Sequence, residues 1–379
     1  MERPDPPLRK RSPADRRTWW LQAAGATPNQ TRFFENTGQE LGLADALIEN
    51  AVGWMPVPLG VASGLVVNGT SYEVPMATEE PSVIAAASAG ASVAARAGGF
   101  TAGASAPVMR AQVFLEGCPG DAETRLEAAR PHLEAEARSH LVSMERRGGG
   151  FRGLSMARLA GLEVALVRLD VDVRDAMGAN LLNTLAEAMT PSLEKALGGK
   201  KLMAILSNDA GLRPAWAEVK LTLDPDRARR ITLASAVAQA DGQRAVTHNK
   251  GIMNGIAAMA LATGNDTRAL EAAVHSFAGA SGTYRGVSRW TAEGGVLHGR
   301  IDLPLALATV GGSVGVHPTA QMSLQLLGNP DSPTLCSIAA ALGLAQNFAA
   351  LNALVGDGIQ KGHMALHDRR SAWLKDQGR

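Results

Sequence analysis

The stretch "ALVRLDVDVRDAMGANLLNTLAEAMTPSLEKAL", residues 165–197, passes from one hydrophobic period to another within a single turn. Val167, Leu169, Val171 and Val173 alternate with Arg168, Asp170 and Asp172, the period-two pattern of a half-buried strand. Beyond Asp175–Asn180 the apolar residues recur at helical spacing instead. Outward from this point, "AQVFLEG" (111–117) reads as a strand, 122–147 as one charged amphipathic helix, 150–157 as a further strand and "KLMAILSN" (201–208) as a last one. The order is β-α-β-β-α-β, the split pattern of a ferredoxin-like domain. An Ala- and Gly-rich helical texture precedes this unit and returns after residue 212, so the unit is read as an insertion. The expected fold class is α/β (α+β): a large mixed α/β domain over 37–107 and 212–360, carrying an inserted ferredoxin-like domain over 108–211. Residues 1–36 form an N-terminal arm without an interpretation, and 361–379 a C-terminal segment.

With 379 residues, 46% of them hydrophobic, the chain is long enough for two or three domains with a substantial core. Lys plus Arg (37) nearly balances Asp plus Glu (36), which leaves no broad field for nucleic acid or an anionic membrane. An anionic ligand must therefore be held by a local site. Cys118 and Cys336 stand far apart and in no metal-like spacing, as in a reducing compartment. The opening "MERPDPPLRKRSPADRR" is basic but also proline-rich and acidic, and no apolar signal-peptide core follows it. "VIAAASAGASVAARAGG" (83–99) is broken by Arg96 and falls short of the roughly 20 strongly apolar residues that span a bilayer. A cytoplasmic protein with neither nucleic-acid nor membrane partner is expected, and the glycosylation sequon at Asn68-Gly69-Thr70 is read as idle.

Five places hold residues that could do chemistry. "GGGFRG" (148–153) satisfies G-x-G-x-x-G, but it follows a charged helix and leads into strands, the wrong setting for a Rossmann fingerprint. In "DVRDAMGANLLNT" (172–184) a strand runs into Gly178 and a helix start, whose free N–H groups make either a phosphate cradle or a plain Asp/Gly cap. Glu79 and Glu80 precede Pro81, Ser82 and an apolar helix; they are helix-start chemistry, or one of them is buried there as a proton donor. "VTHNKGIMNGIAAMALATGND" (246–266) places His248, Asn249 and Lys250 ahead of a small-residue helix that closes with Asp266. His363 and His367 stand at i, i+4 with no third ligand, so no metal site is expected.

Seven segments, "ENAVGWMPVPLGVA", "EEPSVIAAAS", "DVRDAMGAN", "THNKGIMNG", "ATGND", "GLAQN" and "GIQKGHMALH", closely resemble in this order the motifs of bacterial class II 3-hydroxy-3-methylglutaryl-coenzyme A reductases, over about residues 40–367. The resemblance implies two successive hydride transfers from NADPH or NADH, from the thioester through mevaldehyde to mevalonate, with coenzyme A released between them. HMG-CoA, mevalonate and coenzyme A are the implied ligands, and a homodimer or a multiple of it, with the site between subunits, the implied assembly. On matching positions, Lys250 is the oxyanion-stabilising lysine, Asp266 the aspartate that holds it, Glu80 the glutamate that handles protons at the aldehyde stage, and His363 the histidine that protonates the departing thiolate. Ser82, Arg244, Thr247 and Asn254 fall on the substrate set; Asp175, Met177, Gly178, Ala179, Asn180 and Asn208 fall on the nucleotide set.

The chain departs from the family pattern in places. Where NADH-preferring members carry an acidic residue, "SHLVSMERRGGG" (139–150) offers His140 or Leu141 with Arg146 and Arg147 nearby, which leans toward NADPH. Thr267 replaces the tryptophan that usually follows "GND", and twelve residues follow His367 where a helical flap of about fifty is usual. The alternative function is a coenzyme A-thioester-binding homologue with impaired catalysis.

Overall fold

The computed structural model describes residues 7–36, 41–356 and 358. Helices α1 (Pro13–Ala23) and α2 (Pro28–Glu35) open the chain, each started by a hydroxyl N-cap and a first-turn proline, and α3 (Leu41–Leu47) follows. Strands β1 (Leu59–Val67) and β2 (Thr70–Ala77) pair as a hairpin. Asn68 and Gly69 turn it with φ of 49° and 81°, the positive values a two-residue type I′ turn demands. Helix α4 (Val83–Arg96) then leads through β3 (Thr101–Ala104) into β4 (Val108–Glu116).

From β4 the chain builds the expected β-α-β-β-α-β unit: α5 (Ala122–Ser139), a one-turn α6 (Val142–Glu145), β5 (Gly150–Arg158), β6 (Val164–Asp172), α7 (Ala179–Leu197) and β7 (Lys200–Leu206). The antiparallel sheet runs in the order β5-β6-β4-β7. Val167, Leu169, Val171 and Val173 are fully buried, as their alternation requires. The single helix expected over 122–147 is instead broken after Ser139: Leu141 leaves helical geometry at φ −112°, and the break turns Leu141 and Met144 into the core. The glycine run makes this connection. Gly148 and Gly150 take φ of 81° and 103°, and a Cβ on Gly149 would lie 2.5 Å from the Asp172 carbonyl oxygen.

A second sheet, β3-β8-β10-β9, is completed by β8 (Pro214–Thr222), β9 (Ser288–Glu293) and β10 (Val296–Pro304). Between β8 and β9 lie α8 (Pro225–Ala240), α9 (Gly242–Ala262) and α10 (Thr267–Gly279). After β10 come α11 (Gly312–Val316), α12 (Pro318–Leu326) and α13 (Ser332–Leu354). Helix α13 is apolar all round and buried from Leu335 through Phe348, packed by α4, α9, β3, β8 and β10. It is long and apolar enough to cross a bilayer, yet 83% of its most apolar window is buried inside the fold, the condition of a core helix. Small residues let its neighbours approach: a Cβ on Gly90 of α4 would stand 2.1 Å from the Ala345 carbonyl oxygen.

Candidate active site

Helix α9 begins earlier than the sequence pattern implied. Asp241 accepts from the Arg244 backbone N–H at 2.7 Å and caps a 21-residue helix, so His248, Asn249 and Lys250 lie well inside it rather than ahead of it. Thr247, Lys250 and Asn254 share its outer face at i, i+3 and i+7. His248 and Asn249 point the other way, into the core. The His248 Nε2 lies 2.7 Å from Ser288 Oγ, which donates to Asn347 Oδ1 at 2.9 Å, and Trp290 Nε1 donates to the same oxygen at 2.7 Å. Asn249 brackets the start of β9, donating to Arg285 O at 2.8 Å and accepting from Val287 N at 3.0 Å. Burial, and secondarily the Arg244 charge, pull the His248 pKa down to about 4, so the imidazole is neutral.

Glu80 reaches this outer face from the turn after β2. Lys250 Nζ donates to Glu80 Oε2 at 2.6 Å, and Asn254 Nδ2 stands 3.4 Å from Glu80 Oε1. The pair is open to solvent rather than buried at a helix start, with 58% of the lysine side chain and 37% of the glutamate side chain exposed. Pro81 precedes helix α4 and is not in its first turn. Ser82 is the N-cap, held in the left-handed region at φ 74°, and its hydroxyl makes no cap bond. That oxygen is buried without a hydrogen-bond partner among the described residues. It lines, with Glu80, Asn265, Trp54 and His317, a cavity of about 1320 Å³.

Asp266 does not touch Lys250 in this arrangement. It caps α10, accepting from Arg268 N at 2.9 Å and Ala269 N at 3.2 Å, and pairs with the Arg268 guanidinium at 3.1 Å. The Arg268 hydrogen bond, reinforced by these backbone donors, holds the Asp266 carboxyl below the ordinary range. Asn265, unremarked in the sequence beyond its motif, clamps this corner: its Oδ1 accepts from Ala308 N at 2.7 Å and its Nδ2 donates to Ala308 O at 3.1 Å. Arg244, in the first turn of α9, is half-buried with no side-chain bond among the described residues, and burial lowers its pKa. His363 and His367 lie outside the described residues.

The segment 175–180 is built as a helix-start loop. Gly178 caps α7 at φ 93°, where a Cβ would meet Val173 Cγ1 at 2.6 Å, and no side chain caps the first-turn N–H groups. Asp175 turns away from α7 and accepts from the Ser332 backbone N–H at 2.9 Å. Met177 and Ala179 are half-buried, while Asn180 and, just past β7, Asn208 are exposed.

This arrangement is matched by known proteins along most of its length. The family described as hydroxymethylglutaryl-coenzyme A reductase covers residues 12–368. The 3-hydroxy-3-methylglutaryl-coenzyme A reductase of Archaeoglobus fulgidus is 41% identical over 92% of this chain and 82% of its own length. A probable enzyme of the same name from Borreliella burgdorferi is 37% identical over 88% of this chain and 79% of its own. The class II enzyme of Streptococcus pneumoniae, solved bound to NADPH in open conformations, superposes with a TM-score of 0.87 at 41% identity, covering 92% of this chain and 98% of that one. The chain belongs to the hydroxymethylglutaryl-coenzyme A reductase family of oxidoreductases.

Proposed function

We propose that the chain interconverts 3-hydroxy-3-methylglutaryl-coenzyme A with mevalonate and coenzyme A, in two hydride transfers with mevaldehyde held between them. The single observation that carries the reading is the Lys250–Glu80 pair at 2.6 Å with Asn254 beside it. An ammonium beside a carbonyl that is gaining hydride neutralises the charge that develops on oxygen. Glu80, already in hydrogen-bond contact with that ammonium, is placed to exchange a proton as thioester becomes aldehyde and aldehyde becomes alcohol. Ser82, Thr247 and the half-buried Arg244 supply donors for the substrate's hydroxyl and free carboxylate, the latter suiting a guanidinium fork. Asp266 joins Lys250 once it is released from Arg268, and His363 gives the departing thiolate its proton.

The substrate residues belong to the large domain, 37–107 and 212–360, and the nucleotide residues to the inserted domain, 108–211. The uncapped N–H groups of α7 and the close-approach glycine Gly178 suit a dinucleotide diphosphate. Bound there, NADPH or NADH supplies hydride to the carbonyl carbon. Arg146 and Arg147, on the turn that follows α6, favour the 2′-phosphate form, and the pneumococcal relative was solved with NADPH. A homodimer with its site between subunits fits a lysine and glutamate left open to solvent in one chain.

Nicotinamide absorbance tests the reading. It is followed with the acyl thioester against NADPH and NADH, and separately with mevalonate plus coenzyme A against NADP+ and NAD+. Oxidation of one reduced cofactor by the thioester is expected. Thioester binding without turnover in either direction would replace this function by that of a catalytically impaired coenzyme A-thioester binder.

A further inference from the structure

Arg213 lies where the chain returns from β7 to β8, and it is 2% exposed. No carboxylate among the described residues is within ion-pair distance. Its guanidinium meets oxygens from three separate segments instead: Nη2 donates to Leu307 O at 2.6 Å and to Ser332 Oγ, and Nη1 reaches Ala176 O at 3.4 Å. Ser332, fully buried at the start of α13, donates its own hydroxyl hydrogen bond to Leu307 O at 2.8 Å. The same residue's backbone N–H donates to Asp175 Oδ1 at 2.9 Å, and Thr309 N donates to Asp175 O at 2.8 Å. Asp175 and Ala176, immediately before Met177 and Gly178, are thus tied by side chain and main chain to the segment after β10 and to the head of α13.

Burial disfavours the charged guanidinium, which lowers the Arg213 pKa. A lone buried cation weakens a fold more readily than an apolar side chain of its size would, so stability alone does not account for it. What an arginine offers here is a rigid fork that engages several acceptors in fixed directions. We propose that Arg213 is a positioning residue for the nicotinamide cofactor, which through Ala176, Leu307 and Ser332 sets the 175–180 loop and so the first turn of α7. The inference rests on the reading of that loop as the nucleotide site.

Arg213→Lys keeps the charge but loses the fork, Ser332→Ala removes one arm of the clasp, and Gly178→Ala perturbs the loop itself. For each purified full-length variant, NADPH binding is measured by nicotinamide fluorescence, the thioester KM by steady-state turnover, and the fold by thermal melting. A lost or misdirected buried hydrogen bond should weaken NADPH about tenfold in Arg213→Lys and roughly threefold in Ser332→Ala, with the thioester KM unchanged. If Arg213→Lys does not fold, Ser332→Ala decides. Unaltered NADPH binding in folded clasp variants overturns the proposal if Gly178→Ala still weakens NADPH, and the reading of the loop then stands. If Gly178→Ala also binds NADPH normally, the reading and the proposal fall together. Weakening of both ligands in step with the melting temperature assigns Arg213 a structural role only, and overturns it too.

Discussion

Lys250 and His248 are two residues apart on α9 yet face opposite environments, and each predicts its own behaviour. Under the proposed mechanism Lys250 meets charge that develops only during hydride transfer, so Lys250→Ala should lose on the order of a hundredfold or more in turnover of both thioester and mevaldehyde while melting normally. Near-normal turnover would remove the lysine from the chemistry. His248 should govern acid stability instead. Its folded pKa of about 4 lies below the ordinary 6.5, so as pH falls the unfolded chain takes up this proton first. Its contribution is whole above pH 6.5 and is lost between 6.5 and about 4, by roughly 3 kcal/mol at the full shift. Urea unfolding of the parent and of His248→Gln across that range tests the sign; equal pH slopes would show that the imidazole is not the titrating group. The motif made Lys250, Glu80 and Asn254 legible as a set. The inward aim of His248 was not, because the Asp241 cap that starts the helix stands six residues before Thr247, outside the motif.

Elements were legible where their period switches sharply. The strand at 164–172 and the helix at 179–197 carry opposite periodicities on either side of Gly178, so the β-α-β-β-α-β order could be read directly. The α5–α6 break could not, since Leu141 and Met144 keep helical spacing while the backbone leaves the helix. Arg147 beyond the break hydrogen-bonds to Ser143, and Arg146 stands exposed. If these arginines meet a 2′-phosphate, replacing both with alanine should weaken NADPH far more than NADH, because NADPH alone loses charge-assisted contacts. Equal losses would leave them as surface charge. Small residues in α4 announced close packing, but the Gly90–Ala345 partnership spans about two thirds of the chain and no local pattern encodes it. Gly90→Ala forces a Cβ to 2.1 Å from a backbone oxygen that cannot rotate away. A cost of about 1–3 kcal/mol or more is expected as a lowered urea midpoint, and an unchanged midpoint would mean α4 slides freely over α13.

At the scale of the molecule, the proposed reaction draws on two bodies of different construction. Their order along the chain was readable from texture, but the clasp that joins them, Asp175 to Ser332 and Arg213 to Ala176, was not, because its members lie up to 157 residues apart. That division predicts how defects separate by reaction stage. In the proposed mechanism Lys250 serves every carbonyl that accepts hydride, so its loss should fall on thioester and aldehyde alike. His363 is assigned to the one event that belongs to the thioester alone, protonation of the thiolate as coenzyme A departs. His363→Ala should therefore slow thioester reduction on the order of a hundredfold, the usual worth of a positioned general acid, while added mevaldehyde is reduced nearly as fast as by the parent. A thiolate is a tolerable leaving group, so raising the acidity of the medium should recover part of the loss in the variant and leave the ratio of its aldehyde rate to that of the parent unmoved. Steady-state rates on both substrates across pH decide between assignments. Equal loss on thioester and aldehyde would give His363 a part in hydride transfer itself, whereas unchanged thioester reduction would hand the thiolate's proton to water or to another donor.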